Sequence, residues 1–533
     1  MMGKQLTRLI WSFAGIISLI APALALEDSV GEKGINARRL HQPPYNLIGR
    51  KIAIGQVEIG RPGKFGLDKD ISSNPNLTIA KVFYRDSKPT SNTHVDNHAA
   101  QVAAVMVSQD KRLGGVAPGA KLYSSAIGEL KKGGQPEECL ATQHIALQNG
   151  GDLRAINFSF GESLERDSRE NPTLDGNALL TQCVDWSARV HDVLYVIAGN
   201  QGSGGIPIPT DQYNGITSAY TTKREGKFTK IDFANLSDLP QGIGRRLIQR
   251  EINSSPRRAI NLVAPGSKIS LYQLDGNVTE VSGTSFAAPH ITGTVALLQE
   301  FGDTQLRSSS PNWSINSRRH EVMKAVLLNS ADKIQDTEDG KLLGMTRTIL
   351  TKNNHTWFDS DAYKNDLIPL HIQMGTGQLN AFRAYQQFSA GQWSPGIVPV
   401  RGWSYAVIPA YSHQDYLIEQ PLAAGSFAAI TLVWDRVVEL DDLNSNQQYD
   451  VGETFRDRGL NNLDIHLIPM DEDTTIWSVC SSVSQYDSVE HIFCPIPTTG
   501  RYKIRVRYLT QLHDHLQPYA LAWWTFSQSM TND

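Results

Sequence analysis

One short segment combines a possible nucleophile with the start of a helix. Residues 281–290 read VSGTSFAAPH, and an apolar run with helical spacing follows them. A serine at a helix start has a backbone N–H without a partner in the helix, and this group can donate to an oxyanion. The helix dipole also favours negative charge there. Ser285 is therefore a candidate nucleophile, with helix capping as its alternative role, and Pro289 is expected in the first helical turn.

Two further side chains could assist such a serine. His98 opens the helix-spaced run HAAQVAAVMVS, and an imidazole at a helix N-terminus is expected to stay neutral and able to accept a proton. Asn200 ends the β-rich run VLYVIAGN, and its amide could donate to the same oxyanion. Each residue alone has an ordinary alternative, a capping or packed histidine and a turn-forming asparagine. In combination they indicate nucleophilic catalysis.

The elements that must position these residues alternate between strands and helices. β-Rich runs occupy 50–60, 120–127, 155–161 and 193–200, and runs with helical spacing occupy 98–108, 180–190 and 320–331. This alternation predicts an α/β fold, with a parallel sheet covered by helices on both faces. Ligand sites in such sheets lie beyond the carboxyl ends of the strands, where Glu58, Asn157 and Asn200 fall.

These blocks together resemble the subtilisin-like serine peptidases, the subtilase family, over nearly all of residues 45–390. NHAAQVAAVM is similar to the block with the catalytic base, VIAGN to the oxyanion block, and NLVAPGSKI and VSGTSFAAPH to the two blocks ending in the nucleophile. The resemblance implies that His98 is the catalytic base, Ser285 the nucleophile and Asn200 an oxyanion donor. It also implies a subtilisin-like three-layer fold.

The resemblance extends to the substrate. INFSFG is similar to the family's strand that pairs with the substrate backbone, which implies substrate-binding roles for Ser159, Phe160 and Gly161. The implied reaction is hydrolysis of peptide bonds in a protein or peptide substrate, through an acyl-enzyme. The preferred side chain at the cleavage site does not follow from the sequence.

The sequence departs from the family at the acidic residue. Where the family reads D-[TS]-G after the first strand, this chain has Glu58-Ile59-Gly60, so the acid is one methylene longer. Its role would be to accept a hydrogen bond from the histidine and to stabilise the imidazolium, which glutamate can also do. Asp96 is a rival, but it lies only two residues before His98. In HAAQVA, Ala99 and Ala100 also replace the family's Gly-Thr.

The N-terminus has the features of an export signal. Lys4 and Arg8 precede the apolar run LIWSFAGIISLIAPALA, and Ala23-Leu24-Ala25 fits a cleavage site. This predicts a signal peptide at 1–25 and a secreted or periplasmic protein, with an uncleaved membrane anchor as the alternative. No later run reaches the roughly 18 apolar residues of a membrane span, so no membrane association is expected after cleavage. The N-terminal segment 26–47 is too short for the folded propeptide that family members often carry.

Length and composition predict two domains after the leader. The chain has 533 residues, and its sequence pattern changes near residue 395 from alternating strands and helices to successive strand-like runs. These runs are SFAAITLVWDRVV, NNLDIHLIPM, TTIWSVCSS, EHIFCPIP, GRYKIRVRYL and YALAWWTF. We expect a subtilisin-like catalytic domain at 48–394, a linker at SAGQWSPGIVP, and an antiparallel, jelly-roll-like β-sandwich at 395–533. Lys and Arg number 50 against 54 Asp and Glu, which gives no indication of nucleic-acid binding. The oligomeric state is not predicted.

The cysteines suggest disulfides rather than a metal site. No C-x-x-C occurs among Cys139, Cys183, Cys480 and Cys494, and an even number in an exported chain favours pairing. Because the first two and the last two fall in different halves of the chain, we predict the pairs Cys139–Cys183 and Cys480–Cys494. Free buried thiols are the alternative.

The segment DLNSNQQYDVGE, residues 442–453, has the oxygen spacing of a calcium loop. Positions 1, 3, 5, 7, 9 and 12 of such a loop are Asp442, Asn444, Asn446, Gln448 through its carbonyl, Asp450 and Glu453. Position 6, usually glycine, is Gln447, and no clear helix precedes the loop. We therefore predict a structural Ca²⁺ here, with a solvated acidic turn as the alternative.

These observations predict an exported serine endopeptidase with a Ser-His-Glu variant of the triad. The alternative is a catalytically impaired member of the same fold that acts as a protein-binding module. In that case Glu58, in place of the family's aspartate, would indicate the loss of catalytic activity. The presence of Ser285, His98 and Asn200, each within its local block, favours the enzyme. An adhesive or carbohydrate-binding protein has less support, because the sandwich shows no evident aromatic platform.

Overall fold

The structure is a computed structural model, and it describes residues 26–71, 76–77, 79–129, 134–199, 207–224, 227–230, 254–351 and 353–527. The signal peptide predicted at 1–25 lies outside these ranges. Among the helices within them, none has both the length and the apolar character needed to cross a membrane.

The elements are labelled in chain order. The helices are α1 Leu26–Val30, α2 Arg38–His41, α3 Asn97–Val107, α4 Gln135–Ala146, α5 Gln148–Gly151, α6 Leu179–His191, α7 Thr284–Arg307, α8 His320–Asn329, α9 Asp361–Lys364 and α10 Ala381–Phe388. The first strands are β1 Ala53–Glu58, β2 Ile79–Tyr84, β3 Lys121–Ala126, β4 Leu153–Phe158, β5 Leu194–Ala198, β6 Ile216–Arg224, β7 Lys227–Lys230, β8 Leu262–Pro265, β9 Ile269–Tyr272, β10 Val278–Val281 and β11 Ile349–Leu350. The later strands are β12 Gly396–Val398, β13 Arg401–Pro409, β14 His413–Ile418, β15 Phe427–Val433, β16 Val437–Asp441, β17 Thr454–Gly459, β18 Asn462–Pro469, β19 Cys480–Ser482, β20 Val489–Pro495, β21 Tyr502–Thr510 and β22 Leu516–Trp524.

A nine-stranded sheet forms the first part of the chain, in the order β11-β7-β6-β5-β4-β1-β3-β2, with β8 also paired to β6. The pairings among β1 to β6 and β8 are parallel, and β7 joins the edge antiparallel to β6. The predicted parallel sheet is therefore confirmed, with an antiparallel addition at one edge. Because β1 lies between β3 and β4, its carboxyl end falls near the middle of the sheet.

Both faces of this sheet are covered. Successive residues of a strand point to opposite faces, and in β4 Ala155 packs into one apolar core while Ile156 packs into the other. The first core includes residues of α3, α7 and α8, and the second includes residues of α4 and α6. Burial on both faces explains why the strand sequences are nearly continuous apolar runs. The predicted three-layer arrangement is confirmed.

The chain after residue 395 forms two packed sheets, ordered β12-β14-β21-β18-β19 and β13-β22-β15-β20. Apart from the parallel pair β12–β14, the pairings in both sheets are antiparallel. Their facing side chains, such as Ile430 and Ile465, share one buried apolar core. This is the predicted β-sandwich.

The structure corrects several strand predictions in this region. SFAAITLVWDRVV is two strands, β15 and β16, interrupted at residues 434–436, and TTIWSVCSS holds a 3₁₀ turn before the short β19. The sequence analysis did not predict β13, β14 or β17, and the segment expected as a linker contains β12. Four of the six residues of β17 are exposed, whereas β13 and β14 combine buried residues with half-buried ones.

Arg436, in the interruption between β15 and β16, joins the sandwich to the first sheet's helices. Its guanidinium is 2% exposed and donates to the Gly176 carbonyl at 2.7 Å, with Asp185 Oδ2 at 3.4 Å. Its own N–H donates to Asn214 at 2.9 Å. A straight strand could not make these contacts, which explains the break.

Both predicted disulfides are present. Cys139–Cys183 links α4 to α6, and Cys480–Cys494 links β19 to β20. None of the four cysteines is free, so the alternative of buried thiols is wrong. The first disulfide also packs against Val438 and Tyr449 of the hairpin formed by β16 and β17.

The N-terminal segment predicted at 26–47 is packed into the fold. Leu26 and Val30 of α1 are fully buried in the same core as α7. Ser29 Oγ lies 2.8 Å from His290 Nε2, on the helix that begins next to Ser285. This segment therefore contributes to the packing of α7 rather than only connecting a leader to the first strand.

Candidate active site

Glu58 is the last residue of β1 and is 1% exposed. Its Oε2 lies 3.4 Å from His98 Nδ1. Its Oε1 has no hydrogen-bond partner within the described residues. The carboxylate therefore meets the imidazole nitrogen that the acidic residue of a serine-peptidase triad is required to contact.

The backbone after β1 explains this contact. Arg61 N–H donates to the His94 carbonyl at 2.7 Å, and Asp96 N–H donates to the Arg61 carbonyl at 3.0 Å. A Cβ at Gly60 would lie 2.3 Å from the Cβ of Asp96, so glycine allows the two segments to approach. This pairing fixes the start of α3 beside the end of β1.

Asp96, the rival acid, has a different role in the structure. It is the N-cap of α3, and its Oδ1 accepts a hydrogen bond from Ala99 N–H at 3.0 Å. This is the usual arrangement for a capping aspartate. Its charge still acts on the nearby imidazole, but the carboxylate in contact with the ring is that of Glu58.

The pKa of His98 is raised above its usual value. Burial of the imidazole lowers the pKa, but attraction to the Glu58 carboxylate, the hydrogen bond to it and the charge of Asp96 together outweigh burial. The side chain remains 40% exposed. The expectation of a ring held neutral by the helix N-terminus is therefore incomplete, because it leaves out the buried carboxylate, which acts in the opposite direction.

Ser285 is the second residue of α7 and is 9% exposed. Gly283 is the N-cap, so the alternative role of Ser285 as a helix cap is wrong. Its hydroxyl donates to the Ser159 carbonyl at 3.3 Å, rather than to His98. The following residue, Phe286, lies edge-on to the His98 ring at a centroid distance of 5.6 Å. The start of α7 is therefore adjacent to the imidazole.

Pro289 lies inside α7, beyond the first turn in which it was expected. A residue there would donate to the carbonyl four residues earlier, which belongs to Ser285, and proline lacks that N–H. Ser159 Oγ donates to the Ser285 carbonyl instead, at 2.9 Å. Proline thus leaves this carbonyl free to connect the segment after β4 to the candidate nucleophile.

The segment predicted to bind substrate follows β4 directly. Asn157 Nδ2 donates to Ser159 Oγ at 2.9 Å, which orients the hydroxyl that reaches Ser285. Phe160 is 5% exposed, and its ring lies 5.0 Å from that of Phe158. With Gly161 these residues form the turn out of the sheet, and their pairing with a substrate stays a prediction.

Asn200, the predicted oxyanion donor, lies outside the described residues. The strand before it, β5, ends at Ala198, and Gly199 N–H donates to the Ser218 carbonyl at 2.8 Å. β5 is parallel to β4, so both strands end at the same edge of the sheet.

The predicted calcium loop connects β16 to β17, as an antiparallel hairpin. Asn444 Nδ2 and Asn446 Nδ2 donate to Asp450 Oδ2 at 2.7 and 2.8 Å, and Asp450 N–H donates to Glu453 Oε2 at 2.9 Å. Gln447, at the position where glycine is usual, has a φ of 62°. Backbone N–H groups, that of Gln447 first, lower the pKa of Asp442.

The donor set of this loop fits Ca²⁺ in chemistry. Its side-chain groups are carboxylates and amide oxygens, which are the ligands that calcium takes in proteins. Gln448, whose carbonyl completes the predicted set, donates its N–H to Asn446 Oδ1 at 2.7 Å. Asp442, Asn444 and Glu453 lie within the same turn, so the loop brings the predicted ligands close together.

Comparisons with known proteins show the family of the chain. The model of the subtilase family matches residues 67–346. The chain belongs to the subtilase family. This subtilase is 25% identical over 259 residues to the thermostable alkaline protease of Halalkalibacterium halodurans, an alignment that covers 48% of the chain and 59% of that protein.

Other relatives of this subtilase have similar identity. It is 25% identical over 271 residues to subtilisin Savinase of Lederbergia lenta, which covers 50% of the chain and 84% of that protein. Among solved structures, the prenylagaramide maturation protease PagA matches with a TM-score of 0.40 and 19% identity, covering 63% of this chain and 92% of that one.

The sequence analysis missed two features of this site. It did not assign Phe286 a position beside His98, and it did not connect Pro289 with Ser159. The first could not be read from the sequence, because Phe286 and His98 meet only through the fold. The second had a signal, since a proline five residues into a helix always frees one carbonyl.

Replacing Glu58 should change the titration of His98. We expect Glu58→Gln to lower the pKa of His98, because the charge and hydrogen bond that raise it are lost while burial remains. The pKa can be measured by NMR from the imidazole ring protons. Asp96→Asn, which keeps a capping side chain, is the matched control and should lower the pKa less. A larger fall in Asp96→Asn would contradict the assignment of Glu58 as the acid.

The hydrogen bond from Ser159 to Ser285 should be coupled to Pro289. Ser159→Ala leaves a buried carbonyl without a donor, which should cost about 1–3 kcal/mol of the free energy of unfolding. Pro289→Ala in that background supplies a backbone N–H for the same carbonyl and should recover part of the loss. A double-mutant cycle by denaturant unfolding measures this, with an expected coupling of about 1 kcal/mol. Additive effects would show that proline does not set this carbonyl free.

Proposed function

We propose that this subtilase is an exported serine endopeptidase that uses Ser285, His98 and Glu58 as its catalytic triad. The observation that carries the proposal is the approach of the buried Glu58 carboxylate to His98 Nδ1, at 3.4 Å. A charged carboxylate is costly to bury without a partner, and in this family's chemistry the partner is the imidazolium formed during catalysis.

The reaction follows from these groups. His98 Nε2 accepts the proton of Ser285 Oγ as that oxygen attacks a peptide carbonyl, and the hydroxyl must first leave the Ser159 carbonyl. Ser285 N–H, in the first turn of α7, and the Asn200 amide donate to the oxyanion. His98 then protonates the leaving amine, and water hydrolyses the acyl-enzyme.

Glu58 stabilises the charge on His98 between these two proton transfers. With Nδ1–H donating to Glu58, Nε2 is the nitrogen left to accept the serine proton. The raised pKa of His98 is the expected consequence of this pairing. Ser159, Phe160 and Gly161 hold the substrate backbone, and the substrate is a protein or peptide.

The competing proposal is a pseudoenzyme that binds proteins without cleaving them. The Ser285 hydroxyl donates to Ser159 rather than to His98, and this contact is the observation in its favour. The enzyme proposal requires the serine side chain to rotate from Ser159 toward His98. The enzyme is preferred because the positions of Glu58, His98 and the start of α7 would otherwise have no function in common.

A fluorophosphonate probe distinguishes these proposals. We expect the wild-type chain to be labelled, because an activated serine hydroxyl attacks the phosphorus, and Ser285→Ala to remain unlabelled. Ser282→Ala removes an exposed serine three residues away and should be labelled as the wild type is. Intact-mass measurement reports the adduct. Folded wild-type protein that resists labelling would support the pseudoenzyme.

We also propose that the loop from Asp442 to Glu453 binds a structural Ca²⁺, and that the protein is exported to the periplasm or the medium. The loop's hairpin docks on the first part of the chain, since Gln143 Nε2 donates to the Tyr449 carbonyl at 3.1 Å. Calcium would therefore stabilise this contact as well as the loop. The signal-like residues 1–25 support export.

Calcium should raise the melting temperature of the chelator-treated protein. Binding to the folded state alone adds about 2.7 kcal/mol at a hundredfold excess over Kd. Glu453→Gln should abolish the shift, because position 12 supplies two of the ligand oxygens. Glu439→Gln removes a carboxylate on the adjacent strand and should keep the shift. If calcium leaves the melting temperature of the wild type unchanged, the loop is a solvated acidic turn without a bound ion.

A further inference from the structure

A second cluster of ionisable side chains lies away from the candidate active site, where α6, α8 and the sandwich meet. His320 begins α8 and is 2% exposed. Its Nδ1 lies 2.9 Å from Asp192 Oδ1 and 3.2 Å from Glu321 Oε2. Its Nε2 lies 3.1 Å from both carboxylate oxygens of Asp435. One imidazole is therefore in contact with three carboxylates.

One carboxylate oxygen of the cluster lacks a hydrogen-bond donor within the described residues. Asp192 Oδ1 does not, because it accepts the backbone N–H of His320 at 2.9 Å and lies at the same distance from Nδ1. Glu321 Oε2 has no hydrogen-bond partner among the described residues, although Glu321 is 5% exposed and this oxygen faces Nδ1. A buried carboxylate oxygen without a donor is costly.

We propose that His320 Nδ1 and the carboxylates of Asp192 and Glu321 bind one Zn²⁺, with Asp435 orienting the imidazole through its Nε2–H. The metal takes the place of the proton on Nδ1, and this proton is released to solvent. This site is separate from the proposed peptidase chemistry and does not depend on it.

The geometry of the three donor atoms agrees with zinc. The ligand atoms of Asp192, His320 and Glu321 all lie within 4.8 Å of one another. Zinc bonds of 2.0–2.2 Å in a tetrahedron place neighbouring ligands roughly 3.3–3.5 Å apart, so the separations of 2.9 and 3.2 Å require only small movements. Water would supply the fourth ligand.

Asp435 provides the arrangement that metal-binding histidines usually have. A ligating histidine generally donates its other N–H to a carboxylate or carbonyl, which fixes the ring and the tautomer. Asp435 is 6% exposed and occupies this position. Because it lies in the interruption between β15 and β16, the proposed metal would tie the sandwich to α6 and α8.

Two cations lie beside the cluster. Arg319 Nη1 lies 3.3 Å from Asp192 Oδ2, and Lys324 donates to the Tyr213 carbonyl at 2.6 Å. Arg319 therefore contacts the Asp192 oxygen that is not a proposed ligand.

The site also has a route for entry. The Asp192 side chain is 32% exposed, whereas the side chains of His320 and Glu321 are 2% and 7% exposed. An ion can therefore bind Asp192 first and then reach the two buried ligands after a small movement of the Arg319 side chain, which is 40% exposed.

The test uses the full-length protein, treated with chelator and kept in excess Ca²⁺ so that the loop at 442–453 does not compete for zinc. We expect one equivalent of Zn²⁺ to bind by isothermal titration calorimetry. Asp192→Asn changes the half-exposed ligand, so it should lose this binding and remain folded. His320→Gln, where it folds, should also lose the binding. Asp435→Asn removes the orienting carboxylate and should weaken binding by about tenfold to a hundredfold.

His513→Gln is the matched control, because this histidine also contacts a carboxylate, with Nδ1 3.6 Å from Asp514 Oδ2. It should bind zinc as the wild type does. Co²⁺ should give visible absorption bands of a tetrahedral site in the wild type and not in Asp192→Asn. Absence of a stoichiometric site, or zinc binding that persists equally in Asp192→Asn, would overturn the proposal. Neither readout involves peptide hydrolysis, so its failure is distinguishable from failure of the proposed peptidase.

Discussion

The position of the Glu58 carboxylate is the constraint on which the site depends. The residue ends a strand in the middle of the sheet, is 1% exposed, and has the His98 imidazole 3.4 Å away. Burial makes a charged carboxylate costly unless an opposite charge compensates for it. The hydrogen bonds between the segments at Arg61 and Asp96, together with Gly60, hold the imidazole where it can do so.

The start of α7 is fixed by a different set of contacts. Ser159 Oγ donates to the carbonyl that Pro289 leaves free, and Ser29 contacts His290 one turn further along. The segment after β4, the nucleophile helix and the N-terminal segment are therefore linked through polar groups inside an apolar core. Such buried polar contacts fix relative positions more strictly than apolar packing does, because an unpaired group is costly.

Much of the first part of the chain could be predicted from sequence. Composition alone predicts four of the strands, because they are apolar runs buried on both faces: β1, β3, β4 and β5. Glu58 is a candidate because it ends one of these runs. Asp96 could be ranked below it because a residue two positions before a helical histidine is well placed to cap the helix. The family blocks around His98 and Ser285 added the chain order of the candidate catalytic residues.

The features that the sequence did not predict depend on contacts between distant parts of the chain. The break at 434–436 exists because Arg436 reaches Gly176 and Asp185, and the sequence of the strand gives no sign of either. The cluster at His320 brings together residues 192, 320, 321 and 435, which no local pattern connects. The hydroxyl of Ser285 donates to Ser159 rather than His98, a choice between side-chain rotations that sequence does not determine.

The central claim is that Glu58, His98 and Ser285 act as one unit. A crystal structure of the protein treated with a peptidyl boronic acid tests it most directly, because the adduct reproduces the tetrahedral intermediate. The account predicts boron bonded to Ser285 Oγ, His98 Nε2 within hydrogen-bond distance of the adduct, and Nδ1 still donating to Glu58. An adduct in which His98 has turned to Asp96, or a folded protein that forms no bond to Ser285, would contradict it.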